Sequence, residues 1–151
     1  MTDNNQPSTV IYDGNCNLCV TLVQTLEKLD KGRTFAYLPM QYPQLDVEFG
    51  VTEEDCEMGM MVIDGVDSRL RWQGSDAAEE IARRIPISAP VVAAYRALPG
   101  MKWAGDRVYE QVRDNRYAWF GRRQQTYNSP LAACNSGTCQ PFPETSSKAK
   151  V

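Results

Sequence analysis

The sequence predicts an α/β protein, in which a βαβ unit followed by an antiparallel hairpin makes one small sheet covered by helices. Three observations carry this reading. Two short apolar runs, at residues 8–12 and 34–38, flank a stretch with helical periodicity. Two further extended runs, at 60–63 and 68–72, are separated by Asp64-Gly65-Val66-Asp67, and an Asp-Gly between such runs is a strong hairpin signal. The rest, up to Arg123, reads as helices broken at Pro and Gly. The chain has 151 residues, 42% of them hydrophobic, which suits a single domain able to fold without covalent staples.

The elements follow in order. Thr9, Val10 and Ile11 make the first run β-branched and apolar, a buried strand, and Asp13-Gly14-Asn15 breaks it. From Cys16 onward Leu18, Leu22, Leu26 and Leu29 recur at helical spacing, with Gln24, Glu27 and Lys28 between them. Asn15 is the expected N-cap of that helix and Lys31-Gly32 its stop. Pro39 closes the second strand. Residues 42–50 fit a short helix or a loop, and Glu53-Glu54-Asp55 a surface segment. A helix is expected over 75–85, capped by Ser75, with Ala77, Ala78, Ile81, Ala82 and Ile85 on one face and Arg83-Arg84 on its solvated edge. Ala89-Pro90 begins another short helix. After Pro99-Gly100 a third is expected over 106–119, with Val108, Val112 and Trp119 inward. Beyond Arg123 the composition turns to Gln, Ser, Asn, Pro and Thr, so 8–123 reads as the domain and 124–151 as a flexible tail.

Composition excludes several functions. Sixteen Lys and Arg against nineteen Asp and Glu give a net charge of −3, which offers no field to attract nucleic acid or an anionic membrane. No apolar run approaches the roughly 18 residues a membrane helix needs, and the N-terminal segment has no export features, so a cytoplasmic protein is expected. In a reducing cytosol, five cysteines are a poor disulfide framework. The chain has no histidine, which removes the usual triad base, the commonest metal ligand and the usual proton shuttle. Neither a flavin nor a nicotinamide fingerprint is visible, so no cofactor is expected and a partner should supply electrons.

Cysteine is the reactive residue that clusters. Cys16-Asn17-Leu18-Cys19 places two thiols three apart where a strand ends and a helix begins. That spacing permits a disulfide with little backbone movement. The free amides and positive end of the helix dipole stabilise a thiolate at the leading position, so Cys16 is expected to attack and a more buried Cys19 to resolve. The order of elements puts the pair where a thioredoxin-like fold carries its redox centre. Half a zinc site, or two structural cysteines in a redox-silent interaction module, stays open as the alternative. Asp13, three residues before Cys16, is a base, an electrostatic tuner, or simply a turn aspartate. Cys134 and Cys139 are candidates for a second exchange pair serving as a redox relay, for zinc ligands together with Cys16 and Cys19, or for incidental tail thiols. Cys56 lies between Asp55 and Glu57, whose charges raise a thiol pKa, so it is expected to be inert. Trp103, Tyr109, Tyr117, Trp119 and Phe120 read as core or helix-packing residues.

The segment Tyr12-Asp13-Gly14-Asn15-Cys16-Asn17-Leu18-Cys19 resembles the DxxCxxC signature of the DCC family of thiol-disulfide oxidoreductases. Leu38 to Gln41, Val62-Ile63-Asp64-Gly65, Gly74-Ser75-Asp76-Ala77, Leu98-Pro99, Asp106-Arg107-Val108-Tyr109 and Asn115-Arg116-Tyr117 also fall where that family's patterns fall. The resemblance spans about Ser8 to Arg123. It implies a thioredoxin-like fold and protein disulfide reductase-type activity, with Asp13, Cys16 and Cys19 as motif residues. The partners it implies are a disulfide-containing protein or small thiol as substrate, and glutathione or a donor protein as reductant. Thioredoxins place a cis-proline before the strand that faces the pair. Here the corresponding segment, Cys56-Glu57-Met58-Gly59-Met60, has no proline, which puts the usual peptide clamp in doubt.

Overall fold

The computed structural model describes residues 6–67 and 69–132, together with the backbone of 134–135 and 138–139. Strand β1 (Ser8–Tyr12) pairs in parallel with β2 (Phe35–Pro39), in a register running from Ser8 opposite Phe35 to Tyr12 opposite Pro39. On its other side β1 pairs antiparallel with β3 (Met61–Ile63), which pairs antiparallel with β4 (Arg71–Gln73). The sheet order is β2-β1-β3-β4, the mixed α/β arrangement of a thioredoxin-like fold. Helix α1 (Asn17–Asp30) makes the parallel crossover from β1 to β2, the connection a parallel pair requires.

Side chains alternate across β1 and divide the core into two layers. Val10 and Tyr12 join Phe35, Tyr37 and Val62 against Val23 and Leu26 of α1 and Ala77 and Ile81 of α4 (Ser75–Arg84). Ile11 joins Ala36, Leu38, Met61 and Ile63 against Leu45 and Phe49 of α2 (Leu45–Phe49). Burying each large side chain of this kind contributes about 1.5–3 kcal/mol. Next in the chain is α3 (Glu53–Glu57), closed by a capping box between Thr52 and Asp55. Helices α5 (Ala89–Ala97) and α6 (Met101–Phe120) follow α4.

Several local expectations are corrected. The inward face of α1 carries Val20, Val23, Leu26 and Asp30, while Leu22 and Leu29 are exposed. Asp30 replaces a leucine there because its carboxylate accepts the N–H groups of Thr34 and Phe35 and so starts β2. The N-cap of α1 is Cys16 and not Asn15. Gly74, at φ 64°, caps α4, whereas Ser75 Oγ donates to Asp106 Oδ1 at 2.5 Å. Arg84 is no solvated edge: it pairs with the buried Glu80 at 2.8 Å and with Asp64 at 2.9 Å, and lies over Trp72. Helix α6 begins five residues earlier than expected and buries no residue completely, so Val108 and Trp119 are exposed, as are Trp103 and Phe120.

The reason is the place α6 takes. It lies across the end of the sheet where β1 leads into the turn before α1, and touches that end through Tyr109, Arg113, Arg116 and Tyr117. After α6, residues 126–132 are tied to the domain, where a free tail was expected from residue 124. Thr126, Tyr127 and Ser129 bond to Asn15, Gly14 and Glu27, and a parallel bridge sets Ala132 beside Tyr37 of β2. Two short antiparallel strands, β5 (Cys134–Asn135) and β6 (Thr138–Cys139), follow, in a register that sets Cys134 opposite Cys139.

Candidate active site

The geometry of the β1–α1 turn starts from Asp13. This residue is almost fully buried, and its Oδ1 accepts the Asn15 N–H at 2.9 Å and Gln41 Nε2 at 2.8 Å. Its Oδ2 accepts the Tyr117 hydroxyl and pairs with the Arg116 guanidinium at 3.2 Å. Burial works to raise the carboxyl pKa, but the bonds from Tyr117, Asn15 and Gln41 and the Arg116 charge outweigh it and hold Asp13 below the ordinary carboxylate range. The turn and tuning readings of Asp13 are therefore compatible. It fixes the Asx turn that leads into Cys16, and it anchors α6 over the thiols. With four donors on it, the group has no spare basicity for proton abstraction.

Cys16 caps α1, its sulfur accepting the Cys19 N–H at 3.5 Å. A side-chain hydrogen bond from Cys19 is the largest influence on this thiol. Burial opposes it, while the amides of Cys19 and Leu18 and the charge of Arg116 act with it, and together they bring Cys16 down to about 6. Cys19 moves the other way. Donating to Cys16, sitting among protein groups and lying beside a negative sulfur all raise its pKa. The two thiols are thus displaced in opposite directions.

Solvent exposure reverses one expectation. Cys16 has no exposed surface, at 0%, whereas Cys19 is partly exposed. The strap after α6 pairs with the main chain on either side of Cys16. Asn17 N–H donates to Gly121 O, Arg123 N–H donates to Asn15 O, and Arg122 forms an antiparallel bridge with Cys16. The strap runs close over the turn: a Cβ on Gly14 would lie 2.6 Å from Thr126 Cγ2.

Beside Asp13, Arg116 and Tyr117 a cleft of about 820 Å³ opens, lined also by Gln41, Asp46, Glu53, Cys56 and Glu57. Cys56 faces it with a raised pKa, from burial first and then from Asp55, Asp13 and Glu53, which agrees with the inert thiol expected from its neighbours. Cys16, Cys19 and Cys56 are free thiols. The side chains of Cys134 and Cys139 lie outside the described residues. Arg116 and Tyr117 are the members of the site that residue chemistry alone did not single out. Their one sequence signal was the Asn115-Arg116-Tyr117 triplet, and the tyrosine read as packing.

On the segment where thioredoxins place a proline, Met60 N–H donates to the Tyr109 hydroxyl oxygen at 3.1 Å, and Met60 O accepts from Gly74 N–H at 2.8 Å. Gly59, at φ 109°, makes room for that tyrosine, since a Cβ there would lie 2.4 Å from its hydroxyl.

A family model described as DCC1-like thiol-disulfide oxidoreductase matches residues 10–122. The uncharacterized protein YuxK of Bacillus subtilis (strain 168) is 27% identical over 129 residues, 83% of this chain and 90% of that protein. A chloroplastic DCC family protein of Arabidopsis thaliana is 27% identical over 116 residues, which cover 75% of this chain and 64% of that one. No solved structure matches.

Proposed function

Since the chain belongs to the DCC1-like thiol-disulfide oxidoreductase family, we propose that it carries out dithiol–disulfide exchange at Cys16 and Cys19. The observation that carries the reading is the opposite displacement of the two thiols, Cys16 to about 6 and Cys19 upward. At neutral pH Cys16 is the thiolate. It attacks one sulfur of a substrate disulfide, the substrate S–S bond breaks, and the departing sulfur takes up a proton. Once Cys16 is bound in the mixed disulfide its negative charge is gone, and with it the first reason for the raised pKa of Cys19. Cys19 then loses its proton to solvent and attacks the Cys16 sulfur, releasing the second substrate thiol. The substrate disulfide gains two electrons, and the Cys16–Cys19 dithiol becomes a disulfide. A thiol reductant, glutathione or a donor protein, returns it.

In this cycle Asp13 is a positioning residue, holding the turn on one side and Arg116 on the other. Such chemistry fits a reducing compartment such as the cytosol, and no helix among the described residues is long and apolar enough to cross a membrane. The substrate is a disulfide in a protein or small thiol compound. The register that sets Cys134 opposite Cys139 favours a second pair able to exchange with the first as a tethered relay, because directly opposed residues of antiparallel strands fall within disulfide range. Replacing both by serine is expected to slow turnover, and unchanged turnover removes the relay.

The direct test is Cys19→Ser. Mixed with a peptide disulfide, this variant should accumulate a mixed disulfide on Cys16 and go no further. Adduct on another cysteine, or stoichiometric zinc in the purified wild-type protein with thiols shielded from oxidation, would leave the thiolate-ligand module in place of the enzyme.

A further inference from the structure

The segment from Gly121 to Arg123 sits on the redox turn as a second strand would. Arg123 N–H donates to Asn15 O at 2.6 Å and Asn17 N–H to Gly121 O at 3.3 Å, two main-chain bonds that straddle Cys16, and Arg122 stands opposite the cysteine. Asn17 Nδ2 adds a bond to Phe120 O at 2.9 Å. A thiol disposed to be a thiolate is thereby closed off from any disulfide. Exchange requires residues 121–123 to leave, and their departure frees one acceptor and one donor on either side of the nucleophile.

We propose that Asn15 O and Asn17 N–H form the binding subsite for an extended polypeptide that carries the target disulfide, with residues 121–123 as its internal stand-in. The proposal rests on the exchange reading of Cys16 and adds the class of substrate. Main-chain pairing of this kind accepts any extended chain, and nearby side chains select among them. The strap is built for local release. The side chains of Arg122, Arg123, Gln124 and Gln125 are exposed, while Thr126, Tyr127 and Ser129 beyond them are tied to Asn15, Gly14 and Glu27. Gly121, at φ 86°, lets the chain turn off α6 directly over Asn17, where a Cβ would lie 2.9 Å from Nδ2. The main-chain groups of Met60, on the segment where thioredoxins place a proline, are already taken up by Tyr109 and Gly74.

Selection favours a basic or neutral chain. Arg122, in the position opposite Cys16, lies over the Tyr117 ring at 4.9 Å, so a cation is accommodated there. The cleft on which Tyr117 borders carries Asp46, Glu53 and Glu57. Those carboxylates disfavour an anionic disulfide such as oxidised glutathione.

The test compares wild-type protein with Arg123→Pro, which removes the N–H that reaches Asn15 O. The probes are iodoacetamide, oxidised glutathione, and the disulfide-linked dimer of acetyl-Ala-Arg-Cys-Ala-amide. Arg123→Pro should alkylate at Cys16 at least about fivefold faster and react with the peptide at lower KM. Wild-type protein should consume the peptide at least about tenfold faster than oxidised glutathione. Equal alkylation of the two proteins, with circular dichroism and unfolding midpoint unchanged, overturns the proposal, and so does equal use of the two disulfides. Faster alkylation with neither disulfide consumed overturns the exchange reading itself, which separates the two failures. Should Arg123→Pro not fold, amide exchange on the wild-type protein decides. The Arg123 amide exchanging at least about tenfold faster than that of Tyr127, and slowed by the peptide, supports the stand-in; equal protection of both overturns it.

Discussion

Cys16 and Cys56 are both free thiols associated with a helix, and their surroundings drive them in opposite directions. Cys16 caps the 14-residue α1, which has no acidic residue in its first turn, and the Cys19 thiol, two amides and the Arg116 charge converge on its sulfur. Cys56 lies inside the five-residue α3, whose first turn holds Glu53, Glu54 and Asp55. The capping box spends that helix's amide donors on Thr52 and Asp55, and burial together with Asp55, Asp13 and Glu53 pushes the thiol up. Asp13 illustrates the difference. Its charge disfavours ionisation of Cys19 and Cys56 alike, yet by holding Arg116 it supports ionisation of Cys16. Reactivity here follows from the donors directed at a sulfur, not from cysteine content or proximity to a helix.

The largest expected effect breaks the comparison outright. Cys16→Ser should reduce disulfide turnover by at least about a thousandfold, to the uncatalysed level, because the nucleophile is gone. Cys56→Ser should stay within about twofold of wild type, since that thiol is protonated at neutral pH. Steady-state turnover of a peptide disulfide measures both.

The second prediction sharpens the contrast through pH. Only the thiolate alkylates, so a lowered pKa brings the rate to its plateau earlier. Cys16 alkylation should be half-maximal near pH 6 and flat above about pH 7.5. For Cys56 the rate should still be climbing past the ordinary thiol value of 9.0. Peptide mass spectrometry after timed alkylation resolves the two sites.

A smaller effect is expected from Arg116→Met. Removing this charge should move the Cys16 profile upward but not back to 9.0, because the Cys19 hydrogen bond is the larger cause. Alkylation of Cys16 at pH 6 should fall by about three- to tenfold. Cys56 should not move, since Arg116 is not among its influences. Smallest of all, Asp55→Asn should shift the Cys56 profile downward and leave that of Cys16 in place.

How much of this was legible in the sequence follows from range. The β-branched run at Thr9-Val10-Ile11, the turn at Asp13-Gly14-Asn15 and the CxxC at a helix start are local signals, and β1, the turn and α1 lie where those signals put them. The inward face of α1 did not follow the leucines, because the carboxylate of Asp30 found backbone donors at the start of β2 that leucine spacing cannot foresee. Helix α6 was misread for a similar reason. Its work is polar and its partners are distant, Tyr117 and Asp13 standing 104 positions apart in the chain. Hydrophobic periodicity looks for a buried apolar stripe, and α6 has none. The strap over Cys16 left no pattern either. Its contacts are main-chain bonds, which any residue except proline can supply.

The measurement that reaches the central claim most directly is redox equilibration in glutathione buffers, read by intact mass and peptide mapping. A reversible loss of two hydrogens on the peptides carrying Cys16 and Cys19, with Cys56 a free thiol throughout and no metal present, is the predicted result. A pair that does not oxidise reversibly, or a disulfide that draws in Cys56, would contradict it.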